Sequence, residues 1–106
     1  MTTMAFGIQE VPELNAELLI YKVWGADDKS ILPLLICMEV PANKGVIIYT
    51  NGPKWLKEEL AKVYKKNLWV AIYEPETEEA KVVISNTPEV KVGSSFKLSK
   101  ELVNLE

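Results

Sequence analysis

The chain contains no histidine, and all 12 of its basic residues are lysine. Without histidine it can form no Ser-His-Asp triad, no Cys-His pair and no histidine-bearing metal site. It also lacks a Walker-type glycine loop and a GxGxxG turn. Without arginine, and with a net charge of −3, it does not have the composition of a general nucleic-acid binder, so no general DNA binding is expected. That balance still leaves room for one small polyanion held by a local lysine cluster. The single cysteine, Cys37, has no partner for an internal disulfide and sits in the apolar run ILPLLICMEV, where it reads as a buried spectator. No apolar run approaches the roughly 20 residues that span a bilayer. The opening MTTMAFGIQE has neither the basic residues nor the apolar core of a secretory signal, so a cytoplasmic protein without a membrane partner is expected.

What is present is an ordinary globular composition, 48% hydrophobic and 25% charged over 106 residues. One domain, 1–106, is expected. Residues 4–9 and 18–24 read as two strands around a turn at Pro12 and Asn15. Ser30 to Val40 is apolar throughout and reads as a buried helix capped by Ser30, with strand as the alternative. Gly45 opens the strand VIIYT, whose unbroken β-branched run suits a strand buried on both faces. Gly52 and Pro53 then start a helix, with proline at its first position. Leu56, Leu60, Val63 and Tyr64 recur at i, i+4, i+7 and i+8 as its apolar face.

Asn67 reads as the terminator of that helix, and LWVAIY as a second buried strand parallel to the first. AKVVIS is its hairpin partner across the acidic turn EPETEE, and a short strand near 95–98 with a Ser99-capped turn ends the chain. The fold class is α/β: a small Rossmann-like domain with a parallel βαβ core and antiparallel edge strands.

Chemistry concentrates at the turn Thr50-Asn51-Gly52-Pro53-Lys54. Functionally, Gly52 lets a ligand approach the backbone, the amides at the start of the helix face an anion, and Lys54 adds charge. The same residues also make a plain strand-to-helix turn. Trp55 and Trp69 offer faces on which a base can stack, or serve as core residues. Lys65-Lys66 suits a helix C-terminus, and Ser85-Asn86 reads as a turn at a strand end. The glutamates of EPETEE face solvent as readily as they face a cation.

Taken together, these residues carry a resemblance. Lys44-Gly45-Val46-Ile47-Ile48, Gly52-Pro53 before Trp55-Leu56, Ala61, Tyr64, Val70-Ala71, Tyr73 and Pro75 fall in one collinear order, continued by Val82-Val83, Ser85, Gly93 and Phe96. The pattern resembles the small CRISPR-associated Csx-type ring nucleases, single-domain relatives of the CRISPR-associated Rossmann-fold sensors. The resemblance implies a homodimer or higher homo-oligomer of type III CRISPR immunity. Its ligand would be cyclic tetra-adenylate or a short adenylate RNA, clasped between dimers and cleaved with manganese to switch the antiviral response off. The family's ligand-contacting turn falls on Thr50 to Lys54. Its catalytic histidine falls on Lys65, its strand-end aspartate on Glu74, the basic residue beyond on Glu76, and its second histidine, after Ser85, on Asn86.

The implied catalytic set is therefore Lys65, Glu74, Ser85 and Asn86, without the family's histidine ligands for manganese, so no metal ligand is assigned. In-line attack of a 2′-OH on its neighbouring phosphate needs only a cation near the developing charge. Lys54, Lys65, Lys66 or Ser85 fits that role. Three readings stay open: a ring nuclease, a non-catalytic sponge or sensor of the same messenger, and a structural subunit without a small ligand.

Overall fold

The computed structural model describes residues 3–24 and 39–103. The expected helix over Ser30 to Val40, and Cys37 with it, lies almost wholly outside these residues. Six strands form one sheet in chain order: β1 (Thr3–Val11), β2 (Ala16–Trp24), β3 (Gly45–Thr50), β4 (Trp69–Glu74), β5 (Glu79–Ser85) and β6 (Ser95–Lys97). β2, β3 and β4 run parallel, while β1, β5 and β6 are joined antiparallel. The α-helix α1 (Lys54–Val63) connects β3 to β4. The architecture is thus a mixed α/β sheet, mostly strand, with antiparallel strands at both edges.

The β1–β2 hairpin turns through a 3-10 turn at Pro12–Leu14, and Asn15 takes the left-handed conformation at φ 51°. Asparagine tolerates that region because its short side chain bonds locally. Here its amide donates to the Asn43 carbonyl at 3.0 Å. The parallel strands are buried on both faces, as their unbroken apolar runs require. On the helix side Leu19, Tyr21, Val46, Ile48 and Val70 pack with Leu56, Leu60, Ala61 and Tyr64. On the other side Leu18, Ile20, Ile47, Ala71, Tyr73 and Val82 pack with Trp69 and Leu98. Tyr73 donates to the Leu98 carbonyl at 2.8 Å, which fastens the chain after β6 over that face.

Three local expectations are corrected. Pro53 is the residue before the first helical turn, at φ −68° and ψ 164°, rather than its first member. Val63, the last residue of α1, is 50% exposed; Leu56, Leu60, Ala61 and Tyr64 make the buried face. Asn67 does not end the helix, which closes at Tyr64. Its buried amide instead meets the carbonyls of Val40, Pro41 and Lys44 at 3.0–3.4 Å, holding the approach to β3 against the start of β4.

Candidate functional site

The carboxyl edge of the parallel strands gathers the Thr50–Lys54 turn and Glu74, at the ends of β3 and β4. Much of this turn is committed to its own structure. The Thr50 hydroxyl is buried and accepts the Gly52 amide at 3.0 Å, while Asn51 Oδ1 accepts the Val23 amide at 2.7 Å and ties β2 to β3. A side chain on Gly52 would bring its Cβ within 2.7 Å of Leu56 Cδ2, so glycine makes room for the helix. The Pro53 carbonyl accepts the Leu56 amide at 3.0 Å. This leaves the amides of Lys54 and Trp55, at the start of the helix, as its N-terminal donors. Glu74 is half exposed, with Lys57 Nζ 3.5 Å away.

Lys65, Ser85 and Asn86 lie at the other edge, where Ser85 pairs with Trp69 and Glu74 pairs with Glu79 five residues along the same ladder. At about 3.3 Å per residue, roughly 17 Å of strand separates the two groups. The amide of Asn86 donates to the carbonyls of Lys65 at 2.8 Å and Asn67 at 2.7 Å. The Ser85 hydroxyl meets the carbonyls of Thr87 and Val90, closing the turn after β5. Lys65 and Lys66 are exposed. The implied catalytic set is therefore not convergent within one molecule: Glu74 belongs to one edge, and Lys65, Ser85 and Asn86 to the other. Trp69 is buried against Phe96, with ring centroids 5.0 Å apart, and is a core residue; Trp55 is partly buried at the start of α1.

Residues 27–97, about two thirds of the chain, match the family model described as CRISPR-associated protein (Cas_csx3). The chain belongs to the Cas_csx3 family. No curated protein matches it. Family membership places this Cas_csx3 protein in CRISPR-associated antiviral defence.

The side chains at the positions that resemblance gives to the family's two histidines do not suit manganese: Lys65 carries a cation and Asn86 has its amide on two carbonyls. Glu74 keeps a carboxylate, a ligand type that suits the ion, with Lys57 3.5 Å away. No group of three or more metal-ligating side chains is assembled among the described residues.

Sequence reasoning missed a third feature, a groove of about 610 Å³ between α1 and the β4–β5 hairpin. It contains Lys54 and Glu74 but also Lys57, Lys81, Val83 and Ile84. The turns at Asn15 and Gly52 were legible as punctuation. The groove was not, because it arises from an irregularity: the β4–β5 register slips between Val70 and Ala71, leaving Val83 as an extra residue in β5.

Proposed function

We propose that this Cas_csx3 protein binds cyclic tetra-adenylate, or a short adenylate RNA, between two copies of itself in type III CRISPR signalling. The observation that carries this reading is the separation of the two residue groups. One edge offers Lys54 and the N-terminal amides of α1, and the opposite edge offers exposed Lys65 and Lys66. A ring of phosphates lying between the carboxyl edge of one copy and the amino edge of the next meets both sets, which no single copy presents together. A repeated, symmetric ligand suits a homo-oligomer. In this reading the chain is a single cytoplasmic domain over 1–106, and its β3–α1–β4 segment is the part that supports a Rossmann-like core.

A second reading adds catalysis. Lys65 follows α1 in an exposed turn whose backbone is held by the Asn86 amide, and its ammonium has no ion pair among the described residues. Such a cation stabilises the charge that develops when an adenosine 2′-OH attacks the adjacent phosphate, and the ring opens without a metal. Ser85 and Asn86 then act as positioning residues. The new O2′–P bond replaces the P–O5′ bond, the 2′-hydroxyl proton passes to water, and the leaving 5′-oxygen takes a proton from water. The product is therefore a linear adenylate ending in a 2′,3′-cyclic phosphate, and the antiviral signal is switched off.

The test is incubation with radiolabelled cyclic tetra-adenylate, with and without manganese, resolved on native and denaturing gels. A native shift with linear product that does not depend on manganese supports both readings. A shift with intact ring supports binding and removes catalysis. No shift removes both, and leaves a structural subunit without a small ligand.

A further inference from the structure

The helix α1 lies over β3 and β4, and the bulge at Val83 turns consecutive β5 side chains, Val83 and Ile84, toward the space beside it. The floor of the resulting groove is aliphatic: Ala61, Ile72, Val83 and Ile84. Val83 is 40% exposed, an apolar side chain at an otherwise charged surface. Lys54, Lys57, Lys62 and Lys81 surround this floor, against Glu58 and Glu74. Lys57 is matched by Glu74 and Lys62 by Glu59. Lys54, on the helix wall, and Lys81, on the strand wall, have no ion pair among the described residues.

We propose that this groove is a binding site for a small amphiphilic anion with a phosphate head and an aliphatic body. The charge surplus calls for an anion, and the size falls within the range of small-molecule sites. The head is held by Lys54 and Lys81, which line the two walls and have no ion pair among the described residues, against one likewise unpaired carboxylate, Glu58. The body covers Ile72, Val83 and Ile84 and removes their apolar surface from water. An aliphatic body is favoured over a nucleobase because the lining has no aromatic ring for stacking and no amide or hydroxyl side chain to read a base edge. The groove shares Lys54 with the ring-binding reading, so its test uses Lys81 and Val83, which that reading does not involve.

The experiment is titration of methyl-labelled protein with octyl phosphate below its micelle-forming concentration, alongside inorganic phosphate and adenosine monophosphate. Saturable shifts confined to the methyls of Ile72, Val83 and Ile84 are expected for octyl phosphate. Lys81→Ala should weaken binding about tenfold, the scale of one charge-assisted contact. Val83→Asp, which places a carboxylate on the floor, should abolish it. Both positions are exposed, and unchanged circular dichroism confirms that each variant folds. Three results would overturn the proposal. The first is the absence of saturable methyl shifts. In the second, inorganic phosphate binds as tightly as octyl phosphate, so that the floor contributes nothing. In the third, adenosine monophosphate binds more tightly, making the occupant a nucleotide.

Discussion

At the residue scale, single polar side chains do work that their type alone does not disclose. Asn67 is buried and spends its amide on three carbonyls of the segment entering β3. Asn67→Ala removes the donor to the Val40 carbonyl and leaves those of Pro41 and Lys44 with only the backbone amides of Lys44 and Leu68, and should cost about 1–3 kcal/mol in a denaturant titration. Gly45 is equally specific. A Cβ there would stand 2.1 Å from the Trp69 ring, itself locked in the core, so Gly45→Ala should destabilise by about 1–3 kcal/mol through overpacking. Lys44 bridges Glu10 at 3.0 Å and Glu17 at 3.1 Å, carboxylates that face each other across the β1–β2 ladder. Its hydrogen bonds, first to Glu10 and then to Glu17, hold the ammonium above its ordinary value of 10.5. Burial, with Glu78 and Tyr49 adding to it, likewise raises the Tyr73 phenol above 10.0. Both groups bind their protons more tightly folded than unfolded. Their contribution is therefore fully present below about pH 10, and is lost as pH rises through the folded values. Alkaline unfolding followed by circular dichroism should begin above pH 10, and Tyr73→Phe should remove its part of that dependence.

At the scale of elements, the strands and α1 were legible because their hydrophobic periods are unambiguous. VIIYT and LWVAIY are unbroken apolar runs, and the structure buries both faces of the strands they form. Leu56 and Leu60 face the sheet as the i, i+4 spacing requires. Val63 fits the same period but falls at the frayed end of a ten-residue helix, where period no longer dictates direction. Leu60→Ala should accordingly cost about 2–5 kcal/mol, whereas Val63→Lys should change stability by less than about 0.5 kcal/mol. Comparison of their thermal midpoints checks this contrast. The site was legible as a set of residue types, and illegible as an arrangement. Lys65, Glu74, Ser85 and Asn86 are close in sequence order, yet a six-residue strand carries Glu74 to the far edge. The partners of Asn51 and Asn86, which turn them toward structure, come from Val23 and Lys65, distant positions that no local pattern names.

For the whole molecule, the sheet has two differently equipped ends. Among the described residues its strands run in simple chain order, so no reversal of strand order opens a central crevice, and the groups proposed to bind lie at the two edges instead. Two such edges make a composite site only when one copy meets another. A mixing experiment addresses that claim directly. Radiolabelled cyclic tetra-adenylate is titrated with Lys54→Ala protein, with Lys65→Ala protein, and with an equimolar mixture of the two. Each variant alone lacks one half of every junction and should bind weakly. In the mixture, the intact amino edge of one variant meets the intact carboxyl edge of the other, and a substantial part of the affinity should return. Unaltered binding by either variant alone, or a mixture no better than its parts, would contradict the account.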